Sequence, residues 1–304
     1  MANAEHTSAA SLPDPAPLQL LAAQIDIPAT RDITARRNHV ARLHDLLDAA
    51  LSGRPADVVV LPELSTLEYS AESFAQLSTL AEPANGESHE VFSSLARKHA
   101  CAVVYGYARR IDEPVNRVGD TRCSYRIAQQ VILPGGAYAD YNKISLAQFG
   151  DSMEKRFFGA GEQLLVFESG GWRIGVLICY DLRFDALTTA LAKRHHCDVI
   201  LHCGAYARDL SFATREPFVI TRAMEHQIYW LALNRAGAHF GESLWVTPWV
   251  DAENPVQRFD SAAEQLRYFT ADRSVITRVR DQLGWAADAE RLSQLSLSAV
   301  CLQE

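Results

Sequence analysis

Short apolar runs of β-branched and bulky residues recur along the chain, and amphipathic segments lie between them. An apolar run of this kind is typical of a buried strand and is too short for a free-standing helix. Buried strands are therefore predicted at residues 18–25, 57–61, 101–107, 174–178, 197–203 and 227–233.

Apolar residues at helical spacing separate several of these strands. Asp32 is suited to an N-cap, and Pro217 to the first position of a helix. Helices are predicted at residues 32–51, 70–100, 217–226 and 281–295.

Residues 124–133 and the segment after Gly136 form an antiparallel pair in this interpretation, joined by the turn Pro134-Gly135-Gly136. Residues 244–250 and 267–270 are two further, less clear strands. Strands that alternate with helices imply sheets whose faces helices cover. The predicted fold class is α/β with mixed sheets.

Three of these predicted strands end on a reactive side chain. Glu63 follows one strand behind a proline, Lys143 follows the strand after the glycine turn, and Cys179 follows residues 174–178 directly. Open α/β sheets place their chemistry at the carboxyl ends of strands. A glutamate, a lysine and a cysteine are therefore the candidate reactive set.

Cys179 is a candidate nucleophile because the chain turns there from a strand into a predicted helix capped by Asp181. The helix dipole and a nearby cation would lower the pKa of the thiol. A lone cysteine after four apolar residues is more often a small buried hydrophobe. The glutamate and lysine at the other strand ends favour the nucleophile.

Together with Glu154-Lys155-Arg156-Phe157-Phe158 and Gly159-Ala160-Gly161, this set resembles the nitrilase or carbon-nitrogen hydrolase superfamily. The resemblance covers residues 18–241. It implies a four-layer α-β-β-α sandwich in which Cys179 is the nucleophile, Glu63 the general base and Lys143 the group that stabilises the tetrahedral intermediate. The resemblance gives Glu154 the role of a second glutamate that holds Lys143 and substrate.

The residues after the cysteine, Tyr180-Asp181-Leu182-Arg183-Phe184, resemble the Nit-type ω-amidases, whereas nitrile-cleaving members typically carry Trp-Glu there. The predicted reaction is hydrolysis of a small linear amide through a thioester, with release of ammonia. A narrower prediction is that this amide is an ω-amide of a dicarboxylic acid. An N-carbamoyl hydrolase, a nitrilase and acyl transfer to another nucleophile remain alternatives. A catalytically silent interaction module would predict a replaced triad position, and none is replaced.

Four residues are candidates for substrate binding. Arg183 would pair with the far carboxylate of an ω-amide, although an ion pair with Asp181 or Asp185 is the competing interpretation. The remaining candidates are Tyr180, His202 and Tyr206.

A metal site is not predicted, although residues 195–197 and 202–203 contain histidines and cysteines of the kind that bind zinc. An apolar strand separates the two groups and places them about 15 to 20 Å apart. Neither a G-x-G-x-x-G motif nor a P-loop is present, so no cofactor is predicted.

Composition restricts the partners. With 29 basic and 37 acidic residues, the net charge of −8 argues against a nucleic-acid or anionic-membrane surface. No apolar run approaches membrane-spanning length. The predicted partners are an amide substrate and, from the resemblance alone, further copies of the chain in a homodimer or higher oligomer, with the C-terminal segment at the interface.

Six cysteines without a C-x-x-C pair are typical of a reducing cytoplasm and not of a disulfide scaffold. Residues 1–17 are rich in Ala, Ser and Pro and indicate a disordered leader. Without a linker in the middle of the chain, residues 18–304 are predicted to form one domain of 48% hydrophobic composition.

Overall fold

The computed structural model describes residues 15–114, 121–150 and 152–293. The strands are β1 (Leu18–Gln24), β2 (Val58–Val60), β3 (Ala102–Pro114), β4 (Thr121–Ile132), β5 (Tyr138–Asn142), β6 (Val166–Ser169), β7 (Trp172–Ile178), β8 (Val199–Cys203), β9 (Tyr229–Leu233), β10 (Leu244–Val246), β11 (Gln257–Arg258) and β12 (Gln265–Ala271). The α-helices are α1 (Ile33–Gly53), α2 (Ala71–Phe74), α3 (Leu77–Leu80), α4 (Glu87–His99), α5 (Glu154–Phe157), α6 (Asp185–Thr189), α7 (Arg215–His226), α8 (Arg273–Leu283) and α9 (Trp285–Ser293).

The strands form two six-stranded mixed sheets, in the orders β12-β1-β2-β3-β4-β5 and β11-β10-β9-β8-β7-β6. In the first sheet β1, β2 and β3 are parallel neighbours. In the second sheet β7, β8 and β9 are parallel neighbours. Parallel neighbours bring their carboxyl ends to one edge, and Glu63 follows β2 while Cys179 follows β7.

Alternation of side chains along the first sheet builds two apolar layers. Leu20 and Val58 belong to a core cluster that also contains Ile174 and Val176 of the second sheet. Leu21 belongs to a separate cluster that contains apolar residues of α1 and α4. The order of layers is therefore helix, sheet, sheet, helix, which confirms the predicted α-β-β-α sandwich.

Several predicted boundaries were wrong. Residues 70–100 form three helices, α2 to α4, because the chain turns between them, and residues 244–250 contribute only the three-residue β10. The charged segment 281–295 contains the end of α8 and the whole of α9. Residues 1–14 of the predicted leader and residues 294–304 lie outside the described residues.

A membrane-spanning element is not found in the part of the chain that the structure describes: its helices are either too short or too polar to cross a bilayer.

Candidate active site

Glu63 lies in the loop that follows β2, and its side chain is fully buried. Gly106 of β3 passes close beneath this loop, and a Cβ at that position would lie 2.4 Å from both the Pro62 carbonyl oxygen and the Leu64 nitrogen. The loop can therefore come this close to β3 only because residue 106 is a glycine. One carboxylate oxygen of Glu63 accepts a hydrogen bond of 2.8 Å from the backbone N–H of Ala205, which follows β8.

Lys143 directly follows β5 and is also fully buried. Its ammonium group donates to Glu63 at 2.8 Å and to Glu154 at 2.6 Å. The backbone around it is fixed by Gly161, whose N–H donates to the Lys143 carbonyl at 2.8 Å. A Cβ on Gly161 would lie 2.2 Å from the Asn142 carbonyl oxygen. The glycine of the predicted motif is thus required for this close approach.

Glu154 is the first residue of α5, and its carboxylate is buried. Its Oε1 accepts from Lys143 and from the Tyr69 hydroxyl at 2.7 Å, and its Oε2 accepts from the Ala147 backbone N–H at 2.8 Å. Glu154 is therefore held from three directions. A carboxylate fixed in this way acts as a rigid support for Lys143.

In this buried cluster, the attraction between opposite charges offsets the free-energy cost of removing each charge from water. Burial alone would lower the pKa of Lys143, but Glu154 and Glu63 outweigh it and raise that pKa well above the ordinary value. Burial also raises the pKa of Glu63, and Lys143 opposes that shift. The lysine remains an ammonium ion, and Glu63 is a stronger base than a solvated carboxylate.

Cys179 begins a five-residue 3₁₀ helix directly after β7 and has the left-handed backbone conformation, with φ of 44°. Burial and the Glu63 carboxylate raise the pKa of its thiol well above the ordinary value. The predicted lowering of that pKa was wrong, because the turn is short and buried and a carboxylate faces the thiol. A thiol with a raised pKa needs a base to remove its proton before the sulfur can act as a nucleophile.

The predicted N-cap role of Asp181 was also wrong, because Asp181 lies inside the 3₁₀ helix and α6 begins only at Asp185. The buried Asp181 carboxylate accepts hydrogen bonds from the Tyr141 hydroxyl and from the backbone N–H groups of Ser145 and Ile178, at 2.7, 2.8 and 3.1 Å. Asp181 therefore braces the turn at Cys179.

A cavity of about 330 Å³ opens onto Cys179. Its walls combine aromatic rings with small side chains, and Arg208, Asp209 and His239 supply charged or polar groups. The aromatic lining residues are Tyr69, Phe149, Tyr180, Tyr206 and Phe240. A cavity of this size and lining suits a small molecule.

The structure brings two of the four predicted substrate-binding residues, Tyr180 and Tyr206, to the cavity wall. Arg183 is not among the lining residues: its guanidinium donates to the Thr214 hydroxyl at 2.8 Å and to the Ser211 carbonyl at 3.0 Å. The competing ion pairs of Arg183 with Asp181 or Asp185 are not formed among the described residues either.

His202, the fourth candidate, is buried and is not among the lining residues of the cavity. Its Nε2 lies 2.9 Å from the carbonyl oxygen of Cys179, and the Tyr206 hydroxyl donates to the same oxygen at 2.5 Å. Both polar groups therefore contact the backbone of Cys179.

Sequence reasoning missed Tyr69 and the Ala205 N–H. Tyr69 lies six positions after Glu63 in the same post-strand segment, and its contact with Glu154 crosses 85 residues of sequence. No local pattern predicts a contact of that range.

The histidines of residues 195–196 are exposed, whereas His202 is buried. Within the described ranges, one group of three possible metal ligands, Asp185, Glu225 and His226, has its ligand atoms close together. The Arg222 guanidinium already pairs with Asp185 at 3.3 Å and with Glu225 at 2.9 Å. That cluster is neutralised by a protein cation.

The chain is similar in sequence to an omega-amidase and to a second hydrolase. The omega-amidase NIT2 of Danio rerio is 27% identical over 260 residues, which cover 82% of this chain and 87% of that protein. A hydrolase encoded in the pqqF 5' region of Pseudomonas protegens is 29% identical over 201 residues, covering 66% of this chain and 64% of that protein. The chain thus spans less than two thirds of the second relative.

Solved structures share the fold. Nit3 of Saccharomyces cerevisiae, a nitrilase-superfamily member, superposes with a TM-score of 0.72 at 20% identity, covering 88% of this chain and 94% of that one. An amidase from Nesterenkonia sp. has a TM-score of 0.67 at 22% identity and covers 89% and 96%. A variant of the Nesterenkonia enzyme has been solved with the acetamide moiety of fluoroacetamide on its active-site cysteine, with a TM-score of 0.67 at 21% identity and coverage of 88% and 96%.

The sequence profile of the carbon-nitrogen hydrolases matches residues 22–281. The resemblance found in the sequence is therefore confirmed, and the chain belongs to the carbon-nitrogen hydrolase family.

Proposed function

We propose that the protein hydrolyses a small linear amide to a carboxylic acid and ammonia through a thioester on Cys179. The observation that carries the proposal is the buried cluster of Glu63, Lys143 and Glu154 beside a cysteine that faces a cavity. Ion pairs buried to this extent are costly to fold, so a functional role accounts for them better than a structural one.

In the first half of the reaction, the Cys179 sulfur attacks the amide carbon while Glu63 takes the thiol proton. The carbonyl electrons move to oxygen, and the resulting oxyanion is stabilised by the Lys143 ammonium and the Tyr180 backbone N–H. Two donors of Lys143 bind carboxylates, and an ammonium group has three, so one remains for the oxyanion. The intermediate collapses as Glu63 protonates the departing nitrogen, and ammonia leaves.

In the second half, water attacks the thioester carbon and transfers a proton to Glu63. The C–S bond breaks, and Glu63 returns that proton to the sulfur. The net change is addition of one water to the amide, and Glu63 and Cys179 return to their starting states. The raised pKa of Glu63 suits both proton transfers.

The amide is favoured over the nitrile by the residues that follow the nucleophile. Tyr180 lines the cavity and packs against Phe149, with ring centroids 5.1 Å apart. The omega-amidase and amidase relatives support the same reaction. Hydrolysis of an N-carbamoyl compound would use the same triad and remains the second candidate.

The refinement to an ω-amide requires a cation for the far carboxylate. Arg183 remains the candidate from the sequence, although its guanidinium contacts Thr214 and Ser211. Arg208 lines the cavity but already pairs with Glu242 at 2.9 Å. The refinement is therefore proposed separately from the amidase activity.

The test is a comparison of kcat/KM for a four- to five-carbon dicarboxylic monoamide, its uncharged amide analogue, the matching nitrile and an N-carbamoyl amino acid, with ammonia release as the measurement. We expect the amides to be turned over fastest. A nitrile turned over faster than both amides would refute the amidase proposal. Equal rates for the charged and uncharged amides would remove only the ω-amide refinement.

We also propose a cytoplasmic location and a homo-oligomeric state. The five cysteines that lie within the described residues are all free thiols, which supports a reducing compartment.

A further inference from the structure

The carbonyl group of Cys179 carries two side-chain hydrogen bonds. His202 Nε2 lies 2.9 Å from this oxygen and the Tyr206 hydroxyl 2.5 Å from it. Both residues belong to the segment around β8: His202 lies within the strand, and Tyr206 lies three positions beyond its end. A buried donor in β8 and a second one shortly after it thus converge on one backbone acceptor at the end of the neighbouring β7.

The protonation state of His202 follows from its partner. A carbonyl oxygen only accepts, so Nε2 must carry the hydrogen. Nδ1 is buried and has no hydrogen-bond partner among the described residues. Burial lowers the pKa of His202 to about 3, so the ring is neutral. His202 is therefore a fixed neutral donor at working pH.

The peptide group between Cys179 and Tyr180 links this arrangement to catalysis. A peptide bond is planar and trans, so its N–H points opposite to its C=O. Donors that hold the Cys179 oxygen on one side consequently hold the Tyr180 N–H on the other. Cys179 has φ of 44°, a conformation that costs free energy in any residue with a side chain and persists only where surrounding contacts impose it.

We infer that His202 and Tyr206 are positioning residues that fix the Cys179–Tyr180 peptide plane and so aim the Tyr180 N–H at the oxyanion of the tetrahedral intermediate. Hydrogen bonds to the carbonyl also polarise the peptide and strengthen its N–H as a donor. This inference rests on the proposed nucleophilic role of Cys179. It replaces the earlier assignment of these two polar groups to substrate binding, while the Tyr206 ring still lines the cavity.

The expected signature is a loss in kcat with little change in KM, because the oxyanion forms only after binding. Tyr206→Phe and His202→Phe should each lower kcat about 10-fold, and the double variant about 10²-fold, which approaches the loss expected when an oxyanion donor is removed. His202→Gln should retain most of the activity, because its amide N–H can replace Nε2–H. Tyr229→Phe is the matched control. The Tyr229 hydroxyl also donates to a backbone carbonyl, that of Asp272 at 3.1 Å, but it lies at the opposite end of the same sheet from Cys179.

Two measurements on Cys179 itself make the test independent of turnover. Butanal adds to the thiol to give a thiohemiacetal: the C–S bond forms, and the thiol proton passes to the former carbonyl oxygen. Its dissociation constant should rise about 10-fold in Tyr206→Phe, because the adduct places an oxygen at the oxyanion position. The rate of alkylation by iodoacetamide should stay within about twofold, because that displacement creates no tetrahedral oxyanion.

Other outcomes overturn the inference. A higher KM with unchanged kcat would assign the two residues to substrate binding, and equal activity of His202→Gln and His202→Phe would exclude a donor role for His202. Parallel losses in butanal binding and alkylation would place the effect in the thiol. If His202→Phe unfolds at a lower temperature than the wild-type protein, Tyr206→Phe decides the question. A wild-type protein that binds butanal but hydrolyses no amide would refute the proposed function. The positioning role of His202 and Tyr206 would then be tested by the butanal dissociation constants of the variants alone.

Discussion

The carboxyl group of Glu63 experiences opposing effects from its surroundings. Burial raises its pKa most strongly, the Lys143 ammonium lowers it, and the charge of Glu154 raises it again, with a net increase above the ordinary value of 4.5. Glu63 therefore stays protonated to a higher pH than a solvated glutamate. The base form that the mechanism needs is lost as the pH falls through this raised pKa.

The pH profile tests this directly. The acidic limb of kcat/KM should lie above pH 4.5 in the wild-type protein. Glu154→Gln should move the limb to lower pH, because it removes a negative charge beside Glu63 and leaves Lys143 to pair with Glu63 alone. The surface variant Glu90→Gln is the control and should leave the limb in place. An upward shift in Glu154→Gln would contradict the assigned charges.

The nucleophile is tested by Cys179→Ala. Ammonia release should disappear, because no other group can form the thioester, while the melting temperature should change little because the thiol supplies little packing volume. The exposed Cys123→Ala variant should keep wild-type activity. More than a few per cent of wild-type turnover in Cys179→Ala would mean that another group attacks the amide.

Lys143→Ala tests both catalysis and the buried charges. It should lower kcat by about 10²-fold through loss of an oxyanion donor. It should also lower the free energy of unfolding by about 3–5 kcal/mol, because two buried carboxylates lose their cation. Lys98→Ala, which breaks a surface pair with Asp48 at 2.6 Å, should cost much less, because water screens an exposed ion pair. Similar costs for the two variants would show that the buried cluster is not an ionic unit.

At the scale of elements, the turn between β7 and α6 is held by contacts with segments that are distant in sequence. Asp181 joins this turn to Tyr141 at the end of β5 and to Ser145 in the loop that carries Lys143. One carboxylate thus fixes the nucleophile turn relative to the lysine loop. The distance between Lys143 and Cys179 depends on that link.

Asp181→Ala should lower the free energy of unfolding by about 3 kcal/mol, because it leaves buried donors without an acceptor. Tyr141→Phe removes only one of these hydrogen bonds and should cost about 1 kcal/mol. Urea denaturation of both variants, with kcat measured in parallel, gives the comparison. If Asp181→Ala cost no more than Tyr141→Phe, Asp181 would not be the brace of this turn.

The sequence alone was sufficient for the inner strands and for the residues that end them, because buried runs such as 57–61 and 174–178 have few alternative structures. It was not sufficient for the turn at Cys179. Asp181 looks like an N-cap locally, but its partners Tyr141 and Ser145 lie 40 and 36 residues away. The orientation of Arg183 could not be predicted from the sequence either, because its hydrogen-bond acceptors lie about 30 positions away, in residues 211–214.

At the scale of the whole molecule, the site joins the two sheets. Glu63 and Lys143 follow strands of the first sheet, and Cys179 and Ala205 follow strands of the second. The Ala205 N–H donates to Glu63 across this boundary, so the base is held by both sheets. The geometry of the proposed site therefore depends on how the sheets pack, and substitutions in the shared core should affect kcat as well as stability.

The C-terminal segment is the remaining part of the molecule for which the family resemblance predicts a role, as a contact with another copy of the chain. Trp285 and Leu292 of α9 are 40% and 48% exposed, so their side chains offer apolar area for such a contact. We expect light scattering to give a mass of at least two 33.7 kDa chains. The double variant Trp285→Ser/Leu292→Ser should shift the protein toward the monomer, because it removes apolar area from the predicted interface. Leu210→Ser, at an 85% exposed leucine outside this segment, should leave the mass unchanged. A wild-type protein that is monomeric at high concentration would contradict the predicted oligomer, and an oligomer that the double variant does not weaken would place the interface elsewhere.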